Sequence, residues 1–217
     1  NESDFDQVIV AAGIIPRMPP IPGIEHPSVL SYIDVLKHKH PVGKKVAIIG
    51  AGGIGFDTAE YLSHGETSPS TDIPTFMSQW GIDMTLSSRG GIEGVKALPE
   101  PSAREIYLLQ RKTSKVGAGL GKTTGWSHRM GLHMKGVKMI NAVTYNKIDD
   151  AGLHVTINDE AQILDVDNVI ICAGQEPNKS LCEGLTKPYH LIGGSDVAVE
   201  LDAKRAIDQA MRLVVTL

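Results

Sequence analysis

Residues 44–55 read Lys-Lys-Val-Ala-Ile-Ile-Gly-Ala-Gly-Gly-Ile-Gly, a run of strand type ending in Gly50, Gly52 and Gly55 at G-x-G-x-x-G spacing. Residues 56–63 continue with apolar side chains at helical spacing, so the predicted order is strand, tight turn, helix. No other feature constrains the chain as strongly, because this order calls for an α/β unit with a parallel sheet and the turn at the sheet's carboxyl end. In such a unit Gly50 permits the turn, Gly52 lets the backbone approach a pyrophosphate, and Gly55 lets helix and strand pack closely. The helix N-terminus then faces the anion, so Gly50, Gly52, Gly53, Ile54 and Gly55 form the expected dinucleotide cradle. Glycine at 23 of 217 residues and aromatics at 5% suit this class better than an all-β one.

The residue closing the second strand of such a unit meets the adenosine ribose, where an acid favours NAD and an arginine accommodates the 2′-phosphate of NADP. Residues 105–110 read as that strand, and Arg111 and Lys112 follow at once, so NADPH preference is expected, with Lys115 as a helper. The stretch Val116-Gly-Ala-Gly-Leu-Gly-Lys-Thr-Thr124 ends like a phosphate loop, but that motif needs glycine where Val116 stands and a strand directly before it. A nucleoside-triphosphatase is therefore disfavoured. Residues 65–102 dissolve into Ser, Thr, Gly and Pro and read as a long insertion, with some helix around 75–79. Beyond it a helix is expected over 126–134, then strands over 137–140, 142–148, 152–157 and 162–166.

A net charge of −4 argues against a nucleic-acid partner. The longest apolar runs, 8–15 and 46–56, fall short of the ~18 residues a membrane span needs, and the acidic start lacks a signal peptide, so a cytoplasmic location is expected. The two cysteines, Cys172 and Cys182, suggest neither a disulfide framework nor a metal cluster, and the histidines read as surface or structural residues, so no metal site is expected.

One segment recurs. Asp6-Gln-Val-Ile-Val-Ala-Ala-Gly-Ile-Ile-Pro16 and Asp167-Asn-Val-Ile-Ile-Cys-Ala-Gly-Gln-Glu-Pro177 share Asp, Val, Ile, Ala, Gly and Pro at the same spacing, flanking the nucleotide unit. Paired Ala-Gly crossovers around an inserted glycine fingerprint resemble the two-dinucleotide-domain flavoprotein reductases, in which an NAD(P)H domain interrupts an FAD domain. His190-Leu-Ile-Gly-Gly-Ser-Asp196, followed by an amphipathic helix expected over 197–213, is similar to that family's late FAD motif. The resemblance implies that Gly194, Asp196 and Val197 meet FAD, and that Ala173, Gly174 and Gln175 lie where nicotinamide approaches the flavin. It also implies an architecture: a Rossmann-like three-layer NAD(P)-binding domain over 44–171, with 65–102 inserted, set into an incomplete FAD-binding domain made of 1–43 and 172–217.

Within this class Pro41 to Asp57, Leu109 to Lys112, Gly119 to Trp126 and Cys172 to Asn178 most resemble the C-terminal portion of the bacterial NADPH-dependent 2,4-dienoyl-CoA reductases. That likeness implies an oxidoreductase acting on CH–CH bonds in unsaturated fatty acid β-oxidation, with FMN and a 4Fe-4S cluster in an N-terminal barrel. Only five residues precede Asp6, so the FAD fingerprint and the barrel are expected to be missing partners of this chain, which is expected not to complete the reaction alone. No catalytic acid or base is nominated. The alternative is a non-reducing adenine-nucleotide module, as in trimethylamine-dehydrogenase-like relatives, against which Arg111 and Lys112 argue.

Overall fold

A computed structural model of the chain describes residues 4–65, 68–199 and 202–217. In chain order the elements are β1 (Val8–Val10), β2 (Ile14–Pro16), β3 (Val29–Ser31), α1 (Tyr32–Leu36), β4 (Lys45–Ile49), α2 (Gly53–Ser63) and α3 (Ile73–Trp80). There follow β5 (Glu105–Leu109), α4 (Gly125–Met134), β6 (Lys138–Ile140), β7 (Thr144–Asp149), β8 (Gly152–Ile157), β9 (Glu160–Leu164) and β10 (Asn168–Ile171). The chain ends with β11 (Gln175–Pro177), β12 (Tyr189–Leu191) and α5 (Ala203–Val214). These elements form two compact units, one from the chain ends up to Arg17 and from Gly174, the other from Met18–Ala173. The sequence reading ended its first segment at residue 43. Residues 18–43 group instead with the central unit, because β3 runs parallel to β10 with Leu30 opposite Ile170.

The central unit is a Rossmann-like α/β fold. Its five-stranded parallel sheet has the order β3-β10-β4-β5-β6, and the antiparallel β7-β8-β9 meander is its second sheet. Strand β4 is apolar at every second position on both sides, as a strand buried on two faces must be. Val46 and Ile48 join Phe56, Ala59, Leu62 and Leu132 of the helices in one core, while Ala47 and Ile49 join Val143, Ile148, Leu153 and Val155 in the other. Three layers result: helices, parallel sheet and meander.

The inserted segment is more ordered than its composition suggests. Asp72 accepts the amide of Thr75 at 3.1 Å and so caps α3, Pro74 fits the first turn where no donor is needed, and Gly81, at φ 66°, ends the helix. Beyond it the Asp83 carboxylate accepts the Thr85 hydroxyl and the Ser88 and Thr85 amides, which hold its carboxyl well below the usual range.

Arg104, just before β5, closes the segment. Its guanidinium donates to the carbonyls of Gly43 and Leu62, both at 3.0 Å, tying the entry of β4 to the end of α2. Replacing Arg104 by alanine leaves these part-buried carbonyls unpaired and is expected to lower stability by about 2 kcal/mol. Urea unfolding with an unchanged denaturant slope checks this.

In the unit of the chain ends, the two halves of the sequence repeat meet. Strand β2 pairs antiparallel with β11, Ile15 facing Glu176, and the Asn178 amide group donates to the carbonyl of Ala12. Strand β1 runs parallel to β12. The terminal helix, expected over 197–213, begins six residues later, at Ala203. There Asp202 accepts the Arg205 amide at 2.7 Å and supplies the cap, while 193–195 form a separate 3-10 turn. Residues 200–201 of the expected helix and 66–67 of the insertion lie outside the described residues.

Candidate functional site

The strand order reverses between β4 and β10: from β4 the chain builds outward through β5 to β6, and β10 returns to its other side. Ligands of open α/β sheets bind at such a switch point, outside the carboxyl ends of the strands. Gly50 follows β4 at φ 111°, a conformation that a side chain resists, and a Cβ there would stand 2.3 Å from the Cys172 carbonyl oxygen. Its amide donates to the Leu109 carbonyl at 2.9 Å, so the turn is bonded to the end of β5 as well. Gly55 lies a helical turn onward, where a Cβ would come within 1.9 Å of the Gly50 carbonyl oxygen. Both glycines are required by backbone contacts inside the protein.

Gly52 and Gly53 differ: nothing stands within 4 Å of a Cβ built on either. Gly52 is the N-cap of α2 and offers no side-chain cap, in contrast to Ser31, Asp72 and Asp202 on α1, α3 and α5. The leading N–H groups of α2, Gly53 and Ile54 among them, therefore have an open approach and no internal acceptor from the cap. This is the arrangement that receives a phosphate or pyrophosphate. The residues present fit that group.

Arg111, Lys112 and Lys115 sit on the loop that leaves β5, beside the glycine turn. All three are exposed and belong to no ion pair among the described residues, so their charges stay available. The loop itself is held. Gln110 donates to the Ser114 carbonyl at 2.5 Å and to that of Lys112 at 3.1 Å, and Asn141 donates to the Thr113 carbonyl at 2.7 Å. Next to it the Tyr145 hydroxyl is buried without a hydrogen-bond partner among the described residues. Burial holds it protonated, with the Arg111 charge partly opposing. Sequence reading missed Gln110 and Tyr145, since their roles depend on chain crossings that no motif encodes.

Val116, standing where a phosphate loop needs glycine, is 5% exposed and packs in the helix-side core. The glycines beyond it serve packing: a Cβ at Gly117 would meet the Phe56 ring at 2.7 Å, and one at Gly125 the Leu120 side chain at 2.5 Å.

Ala173 follows the end of β10 within reach of the turn, its amide nitrogen 3.0 Å from a Cβ built at Gly50. Before it, the Cys172 thiol is pushed up to about 12 by burial, with only the Thr58 hydroxyl for a partner at 3.7 Å. A thiol so held stays protonated and is no nucleophile. Cys182 is also free, so the described chain holds no disulfide. Among the described residues no three His, Cys, Asp or Glu side chains converge on a metal position, and no helix is long and apolar enough to cross a membrane.

The remaining candidates belong to the unit of the chain ends. Gly174, at φ 103°, accepts the Arg17 amide at 3.1 Å, and Gln175 opens β11. Gly194 is buried in the 3-10 turn, Asp196 follows it, and the Val197 amide donates to the Gly193 carbonyl at 3.1 Å. Asp196 does not stand at the start of α5. Its carboxylate instead accepts the Gln209 amide at 2.7 Å, while Gln209 Oε1 takes the Gly193 amide at 2.7 Å. Gln209, unnoticed in the sequence, thus fixes the whole turn. Ser195 Oγ is fully buried there without a hydrogen-bond partner among the described residues.

The chain matches the family described as Pyridine nucleotide-disulphide oxidoreductase over residues 1–208. It belongs to that family. The chain is therefore a domain of a pyridine-nucleotide-dependent flavoprotein oxidoreductase. Among curated proteins it is 28% identical over 185 residues to a metal reductase of Desulforamulus reducens, covering 85% of this chain and 26% of that protein. Among solved structures it is similar to a 2-naphthoyl-CoA reductase complex, with a TM-score of 0.70 at 21% identity over 98% of this chain and 27% of that one. An engineered water-forming NADPH oxidase bound to NADPH shares the fold, with a TM-score of 0.57 at 16% identity over 95% of this chain and 45% of that one. The chain thus spans about a quarter of the length of the curated relative. Despite the family's name, neither of its cysteines forms a redox disulfide here.

Proposed function

We propose that this chain is the NADPH-docking portion of a larger reductase, in which hydride from NADPH passes to FAD and serves reduction of a 2,4-dienoyl-CoA in unsaturated fatty acid β-oxidation in the cytoplasm. The observation that carries the nucleotide part is the uncapped N-terminus of α2, open over Gly52 and Gly53, beside three exposed cations after β5 that form no ion pair among the described residues. In this reading the α2 amides bind the pyrophosphate, and Arg111, Lys112 and Lys115 bind the 2′-phosphate. Ala173, Gly174 and Gln175 border the nicotinamide's path. Asp196, held by Gln209, the Val197 amide and the turn around Gly194 hold the flavin's polar chain, where the unpaired Ser195 hydroxyl offers a further contact.

When bound, the nicotinamide and flavin supply the hydride chemistry, while the chain's own task is to bind and orient. The dienoyl substrate, the FMN and the 4Fe-4S cluster belong to an N-terminal portion outside these residues, as the strings Gly119 to Trp126 and Cys172 to Asn178 suggest by resemblance. Helix α5 supports a further FAD half-domain as partner. It buries no residue, and Ile207 and Met211 are both 64% exposed, an apolar face suited to a covering segment.

Calorimetric titration of the chain with NADPH, NADH and ATP–Mg²⁺ tests the reading. NADPH is expected to bind at least ~10-fold tighter than NADH, the difference one charge-assisted phosphate contact makes, with no ATP turnover. Equal affinity for NADPH and NADH would favour a module that merely holds an adenine nucleotide. Binding of none would overturn the proposal.

A further inference from the structure

Residues of the inserted helix α3, of α2 and of α4 together line a cavity of about 540 Å³, inside the range of small-molecule sites. Glu60, not the glycine turn, marks its place along α2, so it is separate from the nucleotide cradle. Three aromatic rings stand in its walls: Phe76 and Trp80 from α3, whose rings lie 6.5 Å apart, and Trp126 from α4. Trp126 is 67% exposed and Phe76 41%, a large apolar area to leave in water.

The polar lining includes two donors that lack a full set of partners, Gln79 and Lys135. Gln79 is 6% exposed, yet its Nε2 has no hydrogen-bond partner among the described residues, a costly state for a buried amide. The Lys135 ammonium has one contact, Ser63 Oγ at 3.3 Å, and pairs with no carboxylate among the described residues. Burial pushes its proton affinity down, with Glu60 and Glu100 opposing only in part. The one carboxylate in the lining, that of Glu60, lies 2.5 Å from His128 Nε2, a contact that does not have hydrogen-bond geometry. Gln79 Nε2 and Lys135 Nζ are thus donors left without a carboxylate partner among the described residues.

We infer that this cavity binds a monocarboxylate with an aromatic body, its ring between Trp80 and Trp126 and its carboxylate on Gln79 Nε2 and Lys135 Nζ. The inference is independent of the nucleotide reading. No bond is made or broken; the site is one of binding.

Trp80 and Trp126 are the chain's two tryptophans, so indole emission reports on this cavity alone. The full 217-residue chain is titrated with 4-phenylbutyrate and, as an uncharged counterpart, 4-phenylbutan-1-ol. The acid is expected to change the emission saturably and to bind about 10-fold tighter than the alcohol, as one charge-assisted contact provides. Lys135→Met is expected to abolish that preference, and Gln79→Leu to weaken the acid about 10-fold. Should either buried change impair folding by circular dichroism, Trp126→Ala, at an exposed position, must still weaken both ligands. NADPH affinity is expected to stay unchanged in all three variants, so a failed nucleotide site and a failed acid site give different results. Absence of a saturable response, equal binding of acid and alcohol, or an emission change that follows protein concentration alone would overturn the inference. The last would mark a contact between copies of the chain.

Discussion

Gly55→Ala is expected to cost about 3 kcal/mol or more of stability, whereas Gly53→Ala is expected to leave stability unchanged or raise it by about 0.5 kcal/mol. The two residues are neighbours in α2, and the difference is one of contact. A methyl group at 55 would lie 1.9 Å from the Gly50 carbonyl oxygen and 2.9 Å from its carbon. Gly50 cannot retreat, since its amide is bonded to Leu109 and its other side is closed by the Cys172 carbonyl. The helix must therefore move off β4, opening a core in which Phe56 and Ala59 are fully buried. At 53 nothing lies within 4 Å, and alanine restricts the unfolded chain more than glycine does. Gly52→Ala separates folding from binding. Its φ of −85° suits alanine and its surroundings are empty, so stability should hold. On the proposed reading the methyl group would stand where the pyrophosphate approaches, so NADPH binding should fall at least ~100-fold, the equivalent of two lost charge-assisted bonds. Urea unfolding and calorimetric titration of the three variants decide the matter. A Gly55→Ala protein as stable as its parent would contradict the close approach, and a Gly52→Ala protein that binds normally would place the pyrophosphate elsewhere.

The sequence was readable where a local rule and the tertiary contact coincide. The strand before Gly50, the helix after it and strand Gly152–Ile157 follow from spacing alone, because burial on known faces sets their periodicity. The repeated Asp-to-Pro segments were legible as a pair, though not that their proline ends would run antiparallel to each other. The terminal helix was placed too early because Asp196 resembles a cap, whereas Gln209 engages its carboxylate and Asp202 does the capping. Within 65–102 the helix expected around 75–79 is present as α3, and Asp72, Pro74 and Gly81 carry the start and stop signals that set its full length. Arg104, Gln110 and Gln79 left no signal. Each acts on atoms brought near by packing, which a single sequence without periodicity at those positions does not record.

Removing both cations, as Arg111→Ala with Lys112→Ala, is expected to weaken NADPH binding about 100-fold and NADH binding hardly at all, since two charge-assisted phosphate contacts are lost only with the former. Stability should change by less than ~0.5 kcal/mol, because both side chains are exposed and outside any ion pair of the described residues. The loop's shape should survive as well, since Gln110 and Asn141 hold it through main-chain carbonyls rather than through the substituted side chains. Lys115→Ala alone should cost a few-fold, in keeping with a position at the far end of that loop. Salt supplies an independent check. Exposed charges attract a phosphate through solvent and are screened within ~8 Å at physiological ionic strength, so the parent's preference for NADPH should shrink as salt rises. In the double variant it should be small and flat across the same range. Equal losses for NADPH and NADH would move the cations from the 2′-phosphate to the pyrophosphate. No loss for either would remove them from the site and leave the glycine turn as its sole determinant.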